Sequence, residues 1–435
     1  MRALILSSLL LLSSLTIAQE KFGLEQVVNR VLSQNFGIQI AKIDTEIAKN
    51  ENNIGTAGYL PTIDVQATQD LALSTARQEF ISGDVNEASN AQNRAFSAGA
   101  MLNWTFFDGF KMFATDKKLD ELERFSELNL RATMEMKVYE AVVNYYTLLS
   151  LQEMEEVYTG AIELSKMRKA YTQTRFNSGA ANRIQLMQAE LDLTADSAAY
   201  IANKQAQSQI KAALSKILQL PVTDEILVEG DLSKLEEKKE WNAIAKQFME
   251  QNTSIMQAKS NMAISELSTK EAKSRFYPQL SFYAAYDYGN SVNEVGFLAS
   301  NRSFGPSIGI TAKWSILNHL SRATELRNSR LIEERSELAY LNDSISALAD
   351  LRNYYEVMEF AEEKLMFEQR NISQTQSIAE IAQTALLAGS ITPLELREIQ
   401  YSAIQAEGRL LQSQIEYQTA RLNISLLSGG FQGLF

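Results

Sequence analysis

The sequence predicts a mainly helical, internally duplicated protein that carries a β-hairpin in each half. Three observations lead there: landmarks that recur at a fixed spacing, two stretches of nearly 70 residues almost free of helix breakers, and strand-like segments upstream of each stretch. Trp104 and Trp314, Tyr145 and Tyr355, and Gly179 and Gly389 are each offset by 210 positions. Gln34-Asn35 and Gln251-Asn252, like Tyr59-Leu60-Pro61 and Phe276-Tyr277-Pro278, are offset by 217. The seven-residue difference falls between proline and tryptophan, so each half is expected to hold a variable loop there, because insertions collect in exposed connections.

The expected order is a signal segment at 1–18, a first repeat at 19–220, a connecting segment at 221–240 and a second repeat at 241–435. Met1-Arg2 precedes an apolar run from Ala3 to Leu15, and Thr16-Ile17-Ala18 places small residues before Gln19. That pattern predicts secretion with cleavage near Ala18, since the run is short for a membrane anchor. The chain has no cysteine, which excludes disulfides, thiolate metal sites, cysteine nucleophiles and the N-terminal thiol of a bacterial lipid anchor. Its net charge of -12, moving to -13 once Arg2 leaves with the signal, disfavours nucleic acid and anionic lipid surfaces while suiting a cation-preferring passage.

Within the repeats, Phe96, Ala98, Ala100, Leu102, Trp104 and Phe106 alternate with Ser97, Gly99, Met101, Asn103 and Thr105. Ile308, Ile310, Ala312, Trp314 and Ile316 alternate likewise with Gly309, Thr311, Lys313 and Ser315. Partner strands are expected near Ile63 to Leu73 and Leu280 to Tyr288, the latter carrying Phe282, Tyr283, Tyr286 and Tyr288. Such alternation fits a membrane barrel strand with one face toward lipid, and it fits equally a soluble hairpin on a core. Four strands cannot close a barrel, which takes about eight, so a membrane reading requires several chains to pool them.

Positions 110–178 contain no proline or glycine except Gly160, and 320–388 contain neither, so each is expected to be one helix, roughly 100 Å long at 1.5 Å per residue. Phe125, Ala132, Met136, Tyr139, Val142, Tyr146 and Leu149 recur at coiled-coil spacings. Shorter helices are expected from Leu24 to about Ala57, Arg183 to about Leu218, Trp241 to about Ser274 and Pro393 to about Leu427. Between long and short helices lie two turns. Gly179 and Gly389 supply the left-handed stop, and Thr392 with Pro393 supplies the next start.

Catalysis has little to rest on. His319 is the sole histidine and stands where the first half has Gly109, no glycine-rich loop opens a helix, and no Ser-His-Asp set can be assembled. The acidic residues read mostly as solvated helix faces. No cofactor or metal is expected.

The duplication, the signal, Asn35 and Asn252 in Ala/Ile-rich helices, Pro61 and Pro278, Trp104-Thr-Phe-Phe-Asp-Gly109 and Arg175-Phe-x-x-Gly179 together resemble the TolC-like outer-membrane efflux family over essentially the whole mature chain. No single motif is decisive, whereas their order in duplicate is specific. The resemblance implies a homotrimer: four strands per chain closing a twelve-stranded barrel in outer-membrane lipid, and coiled-coil helices forming a trimeric α-barrel tunnel in the periplasm. It implies partners as well, a periplasmic adaptor and an inner-membrane pump, and no nucleic acid.

By the same resemblance the turns are docking tips, formed by Phe176, Asn177, Ser178, Gly179 and Ala180 and by Leu386, Leu387, Gly389, Ser390 and Ile391. Acidic residues just after the second turn close the mouth at rest. The matching positions are Glu395 and Glu398, on one helical face, against Gln185 and Gln188 in the first half; the family often has aspartate there, and glutamate is longer and more flexible. Read without the resemblance, the same acids are an ordinary solvated helix start. The expected function is passive conduction of small molecules outward; alternatives are a type I protein-secretion conduit of the same architecture or an exported coiled-coil structural or adhesin protein.

Overall fold

A computed structural model describes residues 21–221, 226–234, 240–295, 298–316 and 320–429. The expected signal at 1–18, His319 and parts of the connecting segment lie outside them. The first repeat supplies β1 (Lys21–Phe22), α1 (Leu24–Gln34), α2 (Phe36–Glu51), β2 (Thr62–Glu79), β3 (Val85–Phe107), α3 (Lys111–Asn177) and α4 (Arg183–Leu218). After β4 (Leu227–Val228), the second supplies α5 (Trp241–Gln251), α6 (Thr253–Ser274), β5 (Gln279–Asn293), β6 (Ser300–Lys313), α7 (Ser321–Leu387) and α8 (Pro393–Leu427). The described residues form two compact units, one from those within 21–42, 130–254 and 344–429, the other from those within 43–129 and 255–343, so each unit draws on both repeats.

The second of these units holds a four-stranded antiparallel sheet in the order β2-β3-β5-β6. Register explains why the alternation matters. Ile63, Val65 and Leu71 share a face with Leu102, Ala100 and Phe96, then with Phe282, Ala284 and Tyr286, then with Ile310, Ile308 and Phe304. The opposite face carries Asp64, Gln66 and Thr68 beside Asn103 and Ser97, then Asp287, Ser303 and Thr311. One apolar sheet face is thus continuous across four strands; Leu102, Phe282 and Ala284 at its centre are half-buried, and the outer strands are exposed, Val65 at 81% and Ile308 at 75%. The outer edges of β2 and β6 have no strand beside them among the described residues.

The expected variable loops are mostly strand. β2 runs 18 residues and β3 23, against 15 and 14 for β5 and β6, so the insertion lengthens the first hairpin rather than its turn. Both strand entries are tied by the tryptophans: Trp104 Nε1 donates to the Tyr59 carbonyl at 2.9 Å, and Trp314 Nε1 to the Phe276 carbonyl at 3.1 Å. Gly109 leaves β3 at φ 73°, and a Cβ there would strike the Ser274 carbonyl and the Tyr277 Cβ, which accounts for the glycine.

In the other unit, the helices expected from Leu24 and Trp241 are each broken. Asn35 and Asn252 both adopt extended backbone, φ -65° and ψ 123°. The Asn35 Oδ1 accepts the Gly37 N–H at 2.9 Å and so caps α2, while Nδ2 donates to the Ile217 carbonyl at the end of α4, 2.9 Å away. Asn252 Nδ2 repeats the second bond, to the Leu427 carbonyl of α8 at 3.2 Å. An apolar side chain at either position would leave a helix-end carbonyl unsatisfied. α2 also stops at Glu51 rather than near Ala57, where Asn53 Oδ1 accepts from Gly55 and Thr56 and turns the chain.

The main core lies here too. Val27, Val28 and Val31 of α1 pack with Val138, Ala141, Tyr145 and Leu148 of α3, Leu214 and Leu218 of α4, and Ile226 and Leu232 of the connecting segment. Full burial of each Val or Leu contributes about 1.5–3 kcal/mol. β1 and β4 pair in parallel, and Tyr145 donates its hydroxyl to the Glu229 carbonyl, with burial pushing the phenol pKa up to about 12.

Candidate functional site: the paired helical tips

Both expected turns are tight and share one backbone solution. Gly179 and Gly389 take φ 77° and 76°. The Gly179 N–H reaches the Phe176 carbonyl at 3.0 Å and Ala180 N–H the Arg175 carbonyl at 2.8 Å; Gly389 to Leu386 and Ser390 to Ala385 repeat both distances. These are paired Schellman bonds, and they satisfy carbonyls that the end of α3 or α7 would otherwise expose. Two residues later each return helix opens with a capping box: Asn182 with Gln185 on α4, and Thr392 with Glu395 on α8.

The box decides what Glu395 does. Its carboxylate accepts from the Thr392 backbone N–H at 2.6 Å and from the Thr392 hydroxyl at 2.9 Å, and these bonds hold its carboxyl below the usual carboxylate range. Glu395 therefore sits at its own helix start, exposed but tethered, in the place Gln185 occupies in the first repeat. Glu398, one turn on, is exposed, and among the described residues no side-chain bond to its carboxylate is observed.

Among the expected docking residues, Asn177, Ser178, Gly179, Ala180, Gly389 and Ser390 are exposed, Leu387 is 63% exposed, and Phe176 and Ile391 are half-buried. Leu386 departs from the expectation. It is fully buried with Ala382 and Leu396, and Leu164 and Tyr171 of α3 pack against the same cluster with Ile391 and Ile399. Leu386 thus supports the tip from inside, and the exposed leucine beside it is Leu387.

Behind the tips lies a buried polar clasp joining α3 and α4 to α8. Arg168, 1% exposed, donates from Nη1 to Gln400 Oε1 at 2.9 Å and from Nη2 to Asp192 Oδ2 at 3.1 Å and Ser165 Oγ at 3.2 Å. Arg397 Nη1 lies 2.8 Å from both carboxylate oxygens of Asp196. Ser165 donates to Asp196 Oδ2 at 2.5 Å, Gln188 to Asp192 Oδ1 at 3.0 Å, and Gln400 to the Ala161 carbonyl at 2.9 Å. Two cations meet two anions, so the buried cluster is neutral. Burial lowers the Arg168 pKa while Asp192 opposes it, and arginine starts so high that the charge remains.

Sequence reading missed this clasp, having placed the helical acids on solvated faces; Asp192 and Asp196 are instead buried. The available signal was the spacing of Asp192 and Asp196, four apart and on one face of α4. Nothing in the sequence named the arginines that meet them.

Comparison with known proteins is consistent with this architecture. The family model described as "Outer membrane efflux protein" matches twice, at residues 27–219 and 244–430. A Pseudomonas putida protein, the pyoverdine export outer membrane protein OpmQ, is 20% identical over 422 residues, covering 94% of this chain and 86% of that protein. The Campylobacter jejuni CmeC outer membrane channel matches in fold with a TM-score of 0.78 at 19% identity, over 94% of this chain and 85% of that one. The open state of the Neisseria gonorrhoeae MtrE outer membrane channel matches with a TM-score of 0.73 at 17% identity, over 94% and 89%. With the family model covering both repeats, this chain belongs to the outer membrane efflux protein family, and is an efflux channel of the Gram-negative outer membrane and not an enzyme.

Proposed function

We propose that three copies of this chain assemble into the exit duct of a tripartite efflux system. Each copy contributes its four strands to a twelve-stranded barrel and its helices to a periplasmic tunnel. The observation that carries this reading is the open sheet. A continuous apolar face has to meet lipid or protein, and two free strand edges have to be paired before such a sheet can enter a bilayer. Copies joined edge to edge, β6 to β2, meet both demands. The test is the mass of the detergent-extracted protein together with its planar-bilayer conductance. A conducting trimer is expected, and a water-soluble monomer or a trimer that never conducts refutes the reading.

The tips meet a periplasmic adaptor through backbone and small side chains, Asn177 to Ala180 and Leu387 to Ile391, with Leu386 holding the second tip in shape. The adaptor in turn links the duct to an inner-membrane pump, which supplies the energy for transport. A charged residue at Ser178 or Ser390 leaves the trimer intact and abolishes export, and normal export by both variants argues against this surface.

The gate is Glu398, seconded by Glu395. Three copies place six carboxylates around the mouth, and Glu398 supplies the ones free to reach inward, because Glu395 is held by Thr392. Replacing both with Ala raises conductance and lowers cation preference, Glu398→Ala alone giving most of the change; unchanged values for the double variant remove the assignment. The cargo is a small organic molecule, a reading supported by the relative named for pyoverdine export. Loss of secretion of such a molecule on gene deletion is the expected result, and retention with loss of a secreted polypeptide instead points to protein secretion.

A further inference from the structure

The two faces of the sheet sort their charges by sign. Along the paired rows up to the irregularity at Ser74, the polar face carries Asp64, Asp70 and Asp287 and, at the helix end, Lys313. The apolar face carries no acid among the described residues, and its two charges are Arg94 and Arg302. Both stand at the hairpin-turn end of the sheet, opposite the ends from which α3 and α7 leave, and there the rows change character. Ala67, Ala98, Tyr288 and Phe304 form the last wholly apolar row; the next on that face is Gln69, Phe96, Asn290 and Arg302, and the one beyond it Leu71, Arg94, Val292 and Ser300. Arg94 lies ten residues from Trp104, so about 33 Å of strand separates them at about 3.3 Å per residue. With the tilt of a membrane barrel strand that is roughly 25 Å of height, the height of the apolar band such barrels present to lipid. The Phe96 and Tyr288 rings, 6.1 Å apart, mark its outer border as Trp104 marks the inner one.

We propose that Arg94 and Arg302 together hold a phosphate of an outer-leaflet glycolipid, whose acyl chains lie along Tyr288, Phe304 and Ile308. The proposal rests on the barrel reading above, in which the apolar face meets lipid. An arginine on a lipid-facing strand is costly at the middle of a bilayer and nearly free at its border, so the place of the pair at the outer border is where a headgroup can meet it. The sign of the partner follows from the surroundings. The chain as a whole is acidic, at -12, yet no carboxylate pairs with either guanidinium among the described residues. Arg94 donates from Nη2 to Gln92 Oε1 at 2.8 Å, which leaves most of its donors unused, and the acid beyond it, Glu294, is engaged by the Gln92 backbone N–H at 2.7 Å. Strand spacing and the two-residue offset put the two arginine backbones roughly 12 Å apart, far enough for one phosphate to sit between the extended side chains. Guanidinium groups match the oxygens of a phosphate two at a time, and a shared anion removes the repulsion between the two cations.

The detergent-extracted protein is titrated with diphosphoryl lipid A, and bound lipid is counted by native mass spectrometry. The wild-type protein is expected to bind it at least tenfold more tightly than the same lipid with both phosphates removed; equal affinity for the two overturns phosphate recognition, and this comparison decides even where a variant fails to assemble. Arg94→Gln with Arg302→Gln is expected to lower the affinity for the phosphorylated lipid tenfold or more, with mass and conductance as in the wild type. Lys313→Gln, on the other face of the sheet, is expected to leave that affinity within twofold. A double variant that keeps wild-type affinity, or a Lys313→Gln variant that loses as much, overturns the assignment to the two arginines. Inorganic phosphate at the concentration of the lipid is expected to displace none of it, and full displacement overturns a lipid as the occupant. A water-soluble monomer refutes the barrel reading and the proposal with it, whereas a conducting trimer with no preference for the phosphorylated lipid refutes the proposal alone.

Discussion

The two helical tips share a backbone and differ in their chemistry. Gly179 and Gly389 sit within a degree of the same φ, the Schellman bonds match to a tenth of an ångström, and each return helix starts on a capping box. Yet Gln185 faces Glu395 across the repeat, and buried Arg168 faces exposed Ile378. The comparison teaches that turn geometry and surface role are separable. Local hydrogen bonds hold the first, and the second changes with single side chains that those bonds do not constrain.

The largest effect that could break the comparison lies in the clasp. Arg168→Met takes from Asp192 its nearest cation, leaving only Gln188 and the more distant Arg397 beside the buried carboxylate, and is expected to cost about 3–5 kcal/mol, read as a fall in the thermal midpoint of the purified protein. The equivalent Ile378→Met exchanges one apolar side chain for another and is expected to stay under about 1.5 kcal/mol. Similar shifts for the two variants would mean that the charged and apolar faces are not distinct.

The helix breaks come next. Asn35→Ala and Asn252→Ala each remove the donor to a helix-end carbonyl and are expected to cost about 1–3 kcal/mol. Asn35→Ala also removes the cap on Gly37. A loss at one site only would mean the two repeats do not use the asparagine alike.

At the turns, nothing lies within 4 Å of a Cβ built on Gly179 or Gly389, so the alanine variants meet only backbone strain. That strain is about 1–2 kcal/mol at each turn, and the two values should agree closely. A large difference would show that one tip is clamped by contacts the other lacks.

The smallest effect separates the tips by pH. The folded pKa of Glu395 is depressed by its bonds to Thr392, so its contribution is complete above the unfolded carboxylate value and fades as pH falls through the folded value. Glu395→Gln, which imitates Gln185, removes that acid-side loss while keeping the box. An unchanged acid profile in melting experiments would show that the charge is not coupled to the helix start.

Much of this protein was legible in its sequence because much of it obeys local rules. Breaker-free runs gave α3 and α7 to within a residue at each end, and alternation located all four long strands. Where the reading fell short, the deciding partner lay far away in the chain. Asn35 and Asn252 were visible as repeated residues, but their role as breaks depends on Ile217 and Leu427, 182 and 175 positions on. The short β1–β4 pairing joins residues about two hundred apart and carries no periodic signal. Leu386 stood beside a turn and looked available to a partner, and its burial depends on Leu164 and Tyr171 in the other repeat. Glu395 and Glu398 looked alike at three-residue spacing, and only the Thr392 bonds tell the tethered acid from the free one.

By itself the sequence determined the duplication, the helices and strands, the two left-handed turns and the alternating sheet faces, because each depends on backbone preferences and side-chain spacing within a few residues. Only the tertiary structure decided which charges are buried. Arg168 reaches Gln400 across 232 positions and Arg397 reaches Asp196 across 201. Helical periodicity says that Asp192 and Asp196 share a face, but a face becomes interior or surface according to what the rest of the chain packs against it.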